Sequence, residues 1–178
     1  MLGMTRKTDY ALVALACLAE ASAADGEPLS VRRIAERYGL PLPQMMSVLK
    51  DLQRSGLVES TRGVRGGYRL AVGADWLELI SVIEAVEGPV RFAACCDDEP
   101  EVDLCVSCQV SDRCPITVGT KKVHELIVGL LRRITIRDLM ESRIDVTLES
   151  LLDSVQSRPT LGALSRATDS VGTGPTTV

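Results

Sequence analysis

Two short helical patterns joined by a glycine constrain the fold of this chain most strongly. Ser30 is a favourable N-cap for a helix that extends to Tyr38, and Gly39 interrupts that helix. A second helix is predicted over residues 43–55, because Pro43 suits the first turn of a helix. Two short helices joined by a tight glycine turn indicate a helix-turn-helix.

A hairpin pattern follows the second helix directly. Residues 57–60 and 68–71 have the composition of two strands, and the loop between them contains three glycines together with Arg62 and Arg65. A hairpin of this kind beside a helix-turn-helix has the form of a DNA-binding wing. The predicted fold class is therefore mainly α with a small β-wing.

The second helix has one apolar face and one polar face. Its apolar residues are Met45, Val48, Leu49 and Leu52. The polar face carries Gln44, Ser47 and Lys50, whose side chains are able to reach base edges or phosphates in a major groove. Arg62 and Arg65 are expected to enter a minor groove or to hold phosphate. A protein-interaction module of the same shape is the alternative.

Charge is distributed unevenly along the chain, whose net charge is −4. Residues 31–70 contain eight basic and three acidic residues, a net charge of +5, which leaves −9 for the remainder. A local basic segment on an acidic chain favours a nucleic-acid-binding module attached to a regulatory part.

Five of the six cysteines lie between Cys95 and Cys114, a density that core packing does not require. The irregular spacing, with one Cys-x2-Cys unit at Cys105 and Cys108, favours an iron–sulfur cluster of the 2Fe-2S or 4Fe-4S type. Zinc prefers paired Cys-x2-Cys units and is the alternative, and free structural thiols are a third possibility. The sixth cysteine, Cys17, lies within a helical pattern and is expected in the core.

Enzyme chemistry has little support in the sequence. The single histidine, His124, is expected at a surface or an interface, and no serine or cysteine has a credible histidine base and acid partner. No βαβ pattern surrounds Cys105 and Cys108, which argues against a thioredoxin-like enzyme. We therefore expect a binding protein.

A long apolar helix is predicted after the cysteines, beginning near Pro115. Its apolar residues recur at spacings of three and four: Val123, Leu126, Ile127, Leu130, Leu131 and Ile134. This helix is more apolar than a lone surface helix requires, so it is the candidate interface of a homodimer. Further helices are predicted over residues 9–24 and 76–86, and one or two helical turns over 149–155.

The predicted division of the chain follows from these patterns. We expect a winged helix-turn-helix domain at 1–90, a cysteine-rich cluster-binding loop at 91–115, a dimerisation helix with a C-terminal helical segment at 116–155, and a disordered tail at 156–178.

Arg6, Lys7 and the apolar run after them imitate a secretory signal, but Asp9 and Tyr10 interrupt the transition from charged to apolar residues. No apolar stretch approaches the ~20 residues that cross a bilayer, so we expect no membrane partner and a cytoplasmic location.

Several short motifs together resemble a known family over about residues 4–140. They are Thr8-Asp-Tyr-Ala-Leu12, Gly56-Leu-Val58, Arg62-Gly63, Gly66-Gly67-Tyr68 and Cys108-x5-Cys114-Pro115. In combination they resemble the IscR/NsrR-type winged-helix repressors, the Rrf-two family. The resemblance implies a homodimeric transcriptional regulator that binds a palindromic operator in double-stranded DNA. It also implies an iron–sulfur cluster that senses iron, cluster supply, nitric oxide or redox state.

The resemblance carries over the metal ligands only in part. Cys108 and Cys114 match the last two family cysteines, whereas the usual first one would fall at Val102, so Cys96, Cys95 or Cys105 must substitute. A histidine that serves as fourth ligand in some relatives is Thr117 here, and the aspartate that serves in others is Asp9. An all-cysteine set is equally open, and the preferred set is Cys96, Cys105, Cys108 and Cys114.

The second helix of the helix-turn-helix, which is the recognition helix in this family, also departs from the best-known family member. A glutamate that tunes operator choice there is Met46 in this sequence, so the operator sequence is not transferable. The functional hypothesis is a repressor that senses iron–sulfur, redox or nitric oxide status through a cysteine-ligated iron–sulfur cluster. The alternative is a zinc-stabilised winged-helix repressor without a sensing cluster.

Overall fold

The computed structural model describes residues 5–24, 26–63, 65–93 and 113–144 of the chain. Its elements in chain order are α1 Arg6–Ala24, α2 Val31–Tyr38, α3 Leu42–Arg54, β1 Val58–Thr61, β2 Gly67–Leu70, α4 Leu79–Glu87, α5 Thr117–Arg133 and α6 Ile136–Glu141. The predicted ligands Cys96, Cys105 and Cys108, the helical turns at 149–155 and the predicted tail lie outside the described residues.

The helix-turn-helix forms as the sequence predicts. Ser30 caps α2 by accepting a hydrogen bond from the Arg33 backbone N–H over 3.3 Å. Gly39 ends α2 in the left-handed region with a φ of +62°, where a residue without a Cβ pays no steric penalty. α3 begins at Leu42, one residue before the predicted start, and Pro43 lies in its first turn.

The wing is an antiparallel pair of strands, β1 and β2, in which Val58 lies opposite Leu70. Leu29, just before α2, pairs with β2 through an isolated antiparallel bridge. The Leu29 N–H donates to the Tyr68 carbonyl oxygen over 2.9 Å, and the Tyr68 N–H donates to the Leu29 carbonyl oxygen over 2.8 Å. A Cβ on Gly67 would lie against the Leu29 backbone, so only glycine allows this close approach. The wing is thereby attached to the start of α2.

The core is formed mainly by α1, α3 and α4, with Ile34 and Ala35 of α2. Its largest fully buried side chains include Leu15, Leu18, Met45, Leu49, Leu52 and Val82. Cys17 is 1% exposed within this cluster, which confirms the prediction that it is a core residue. Full burial of each large aliphatic side chain stabilises the fold by roughly 1.5–3 kcal/mol, so this cluster is the main source of stability.

α1 begins three residues earlier than predicted. The Thr5 hydroxyl accepts a hydrogen bond from the Lys7 backbone N–H over 3.1 Å and so caps the helix ahead of Asp9. Threonine at this position is a recognisable cap, but the apolar periodicity on which the prediction relied starts only after it.

α4 begins at Leu79, and the prediction of a helix from Trp76 was wrong by three residues. Leu77 accepts a hydrogen bond from Ile136 N–H over 3.0 Å, and Leu79 N–H donates to Ile134 over 2.8 Å. These bonds hold the backbone extended before α4, and Trp76 stays in a turn with 82% of its surface exposed.

α5 is the long helix that the sequence predicts after the cysteines. It packs against α4, yet none of its residues is fully buried. Val118 is 70% exposed and Val123 is 40% exposed. Among the described residues, no helix combines the length and apolar character needed to cross a bilayer.

Candidate nucleic-acid interface and metal ligands

The structure brings the predicted recognition residues to one surface of α3. Gln44, Ser47 and Lys50 are exposed, whereas Met45 and Leu49 between them are completely buried. The buried stripe anchors α3 on α1 and α4, so the polar side chains point away from the core. This arrangement presents amide, hydroxyl and ammonium groups to any ligand that approaches α3.

Two further α3 side chains are exposed near these residues, and neither is among the predicted DNA contacts. Met46 is 42% exposed, although methionine is apolar. Gln53 Nε2 donates a hydrogen bond to Ser60 Oγ on β1 over 2.8 Å, which links α3 directly to the wing. The sequence places both residues on α3, but a helical pattern does not show which polar side chain is bonded.

Ion pairs divide the basic residues of segment 31–70 into two groups. Three arginines have acidic partners: Arg37 with Glu20, Arg54 with Asp51, and Arg69 with Glu59. Within the described ranges, five have no ion-pair partner: Arg32, Arg33, Lys50, Arg62 and Arg65. Only the second group is available to neutralise phosphates without first breaking an internal pair.

The wing loop presents both of its predicted arginines. Arg62 and Arg65 are exposed on either side of the turn between β1 and β2. Gly63 has a φ of +119°, and a Cβ on Gly66 would collide with the Thr61 carbonyl oxygen. The two glycines therefore permit a tight turn that holds two cations at the tip of the hairpin.

Arg32 and Arg33 belong to the basic segment 31–70 but are not among the predicted DNA contacts. Both are exposed in the first turn of α2, immediately after the Ser30 cap. Because Leu29 pairs with β2, this turn lies beside the wing. A helix N-terminus with added arginines is electrostatically suited to a phosphate.

Cys114 is the predicted metal ligand within the described residues. It is partly exposed and lies just before α5. A hydrogen bond from Thr117 is the main cause that lowers the pKa of the Cys114 thiol, with a backbone contribution from Ile116. A stabilised thiolate suits ligation of iron or zinc. Asp9, the alternative fourth ligand, is exposed in the first turn of α1, and the complete ligand set stays a prediction.

Comparison with known proteins agrees with this geometry. Residues 4–142 match the family model Rrf2, described as an iron-dependent transcriptional regulator. The transcriptional regulator IscR of Serratia proteamaculans is 32% identical over 140 residues, which cover 79% of this chain and 80% of that protein. NsrR of Bacillus subtilis is 29% identical over 143 residues, covering 80% and 93%.

A solved structure shows the same fold. The structure of T. potens IscR superimposes with a TM-score of 0.56 at 27% identity, covering 84% of this chain and 96% of that one. The resemblance seen in the short motifs is confirmed, as is the expectation of a regulator rather than an enzyme. This chain belongs to the Rrf2 family of iron-dependent transcriptional regulators.

Proposed function

We propose that this protein represses transcription as a cytoplasmic homodimer that binds a palindromic operator in double-stranded DNA. The observation that carries the proposal is the exposed polar side of α3, with Gln44, Ser47 and Lys50, next to a wing whose Arg62 and Arg65 have no ion-pair partner among the described residues. The helix supplies groups for base edges, and the wing supplies cations for phosphate or a minor groove.

The dimer is supported by α5. A helix with this many apolar residues normally buries some of them completely, yet no α5 residue is fully buried within the described part of the chain. Ile116, Val118 and Val123 are strongly exposed on or just before it. A second copy packed on α5 would remove this apolar surface from water, and the resulting two-fold symmetry would match a palindromic site.

The proposed sensor is an iron–sulfur cluster held by Cys96, Cys105, Cys108 and Cys114. When bound, such a cluster supplies a centre that reacts with oxidants and nitric oxide and depends on iron supply. Cys114 fits this role because hydrogen bonding favours its thiolate form. The relatives named IscR and NsrR support the same assignment at the level of the family.

The metal assignment is tested on anaerobically purified full-length protein. Iron, acid-labile sulfide and zinc per chain are measured together with the visible spectrum. Brown protein with matched iron and sulfide is the expected result. Colourless protein with about one zinc per chain would replace the sensor by the second candidate, the zinc-stabilised repressor.

DNA binding is tested separately, so that it does not depend on the metal result. Genomic fragments retained by the full-length protein are sequenced and searched for an inverted repeat. Recovery of a common palindrome is expected, with a stoichiometry of two chains per site. If no fragment is enriched over input, the proposed repressor function is wrong, whatever metal the protein contains.

A further inference from the structure

The first turns of α1 hold the ends of two other helices through polar side chains. Lys7 Nζ lies 2.7 Å from Asp51 Oδ2 of α3 and donates to the Val86 carbonyl oxygen of α4 over 2.9 Å. The Thr8 hydroxyl donates to Glu87 Oε1 at the end of α4 over 2.6 Å. One short stretch of α1 therefore contacts both the recognition helix and the last residues of α4.

Lys7 is the dominant partner of Asp51. The Asp51 side chain is only 16% exposed, and the hydrogen bond from Lys7 is the main cause that lowers the pKa of this carboxyl. Arg54 also pairs with Asp51, over 3.0 Å, but the Arg54 side chain is 77% exposed and screened by water. Loss of Lys7 would leave a largely buried carboxylate with one weak, solvated partner.

Thr8 makes a second contact between α1 and the end of α4. It is the one fully buried polar residue in the described part of the chain, and its hydroxyl is satisfied by Glu87. The Thr5 hydroxyl donates to the same Glu87 oxygen. A buried hydroxyl without a partner is costly, so the end of α4 cannot leave α1 without a penalty.

Hydrogen bonds specify how the ends of α3 and α4 are placed against α1 more narrowly than apolar contacts alone. The hydrophobic effect has no preferred direction, whereas a hydrogen bond weakens steeply when its distance or angle leaves the normal range. The ammonium of Lys7 bonds to α3 and α4 at once. A shift of either helix end therefore changes the distance between Lys7 and one of its partners.

We propose that Lys7 is a positioning residue that couples the C-terminal end of α4 to the recognition helix α3. The proposal rests on the repressor function proposed above and deepens it. The cysteine-rich loop predicted at 91–115 begins four positions after Glu87 in the sequence, so a change in that loop that displaces the end of α4 would reach Lys7. Lys7 passes such a change to Asp51, the neighbour of Lys50 on α3.

Positioning is distinguished from a simple effect of charge by removing the positive charge of Lys7 and the negative charge of Asp51 in separate variants. Affinity is measured by fluorescence anisotropy with full-length protein and a labelled duplex recovered by selection from random-sequence DNA. By charge alone, Lys7→Met should weaken binding and Asp51→Asn should strengthen it. Positioning instead predicts that both variants weaken binding by about 5-fold or more, and that the double variant is no weaker than either single one.

Glu20→Gln is the matched control, because it removes another ion pair of α1, that with Arg37, at the opposite end of the helix. Its affinity should stay within about 2-fold of the parent, as expected for an exposed pair. Tighter binding by Asp51→Asn together with weaker binding by Lys7→Met would overturn the coupling. Additive losses in the double variant would also overturn it.

Hydrogen exchange supplies a readout that does not need DNA. Lys7→Met should accelerate exchange at backbone amides of α3 and of the end of α4, while Glu20→Gln should leave both unchanged. Unchanged exchange in α3 would overturn the coupling even if the protein binds DNA. Faster exchange in both helices, with no duplex recovered by selection, would support the coupling and overturn the repressor function.

Discussion

Glu59 and Arg69 face each other across the two wing strands, and two guanidinium nitrogens of Arg69 donate to one Glu59 carboxylate oxygen over 3.0 and 2.7 Å. The positive charge of Arg69 on β2 is therefore neutralised by Glu59 on β1. The positive charge that the wing offers to a ligand comes from its loop, from Arg62 and Arg65.

Replacing Arg62 or Arg65 by Ala should weaken DNA binding and reduce its salt dependence. Each arginine that contacts a phosphate contributes about one unit to the slope of log affinity against log salt concentration. Titrations at several salt concentrations measure that slope. The control is the double variant Glu59→Gln with Arg69→Gln, which removes a neutral pair and should leave the slope unchanged. Equal slopes for the parent and both loop variants would contradict this placement of the wing.

Gly67→Ala should destabilise the protein by about 1–3 kcal/mol, because the added methyl group is forced against the Leu29 backbone. The change would also disturb the pairing of Leu29 with Tyr68 that attaches the wing to α2. Urea denaturation measures the free energy of unfolding. Gly73→Ala is the control, since its new Cβ would meet Trp76 at an ordinary 3.7 Å. Equal stability of the two variants would contradict the steric argument.

Val118→Glu combined with Val123→Glu should convert the proposed dimer to a monomer. Both residues are exposed in the described chain, so a carboxylate is tolerated in the monomer but costly in a packed interface. Light scattering should show the mass falling from twice 19.2 kDa to 19.2 kDa. Lys122→Glu, an exposed position on the same helix, controls for the added negative charge. A dimer that survives the double substitution would place the interface elsewhere.

Cys114→Ser should remove most of the iron and sulfide of the proposed cluster, because serine is a poor substitute for a thiolate ligand. Cys17→Ala is the control: Cys17 is buried in the core and should not affect iron content. Metal analysis is paired with circular dichroism to show that both variants fold. Full iron content in Cys114→Ser would exclude this residue from the ligand set.

Glu87 should make stability sensitive to acid. Hydrogen bonds from Thr5 and Thr8 lower the pKa of Glu87 below its usual value of 4.5. Because the folded-state pKa is the lower one, the stabilisation is fully present above about pH 4.5 and disappears as the pH falls through the folded-state value. Glu87→Gln should therefore lower the free energy of unfolding near neutral pH and flatten its dependence on pH in acid.

Denaturation at neutral pH and at several values below pH 4.5 measures this effect. Glu84→Gln, an exposed carboxyl of the same helix, is the control and should keep the parent profile. If Glu87→Gln has the same acid profile as the parent, the hydrogen bonds from α1 do not contribute to stability.

Local signals in the sequence determined much of the fold. Ser30 and Gly39 set the ends of α2, and the apolar stripe that includes Met45 and Leu49 set both the position of α3 and its exposed face. The arginine- and glycine-rich loop predicted the wing, whose strands lie within one residue of their predicted bounds. These features depend on capping, periodicity and turn chemistry, which act over a few neighbouring residues.

The tertiary structure decided the features that join distant parts of the chain. The true start of α4 depends on backbone pairing between Leu77 and Ile136, and the attachment of the wing depends on Leu29. Which arginines are neutralised, and which helices Lys7 joins, depends on partners that are close only after folding. A sequence pattern reports what a residue is able to bond, but its actual partner is chosen by packing between elements far apart in the chain.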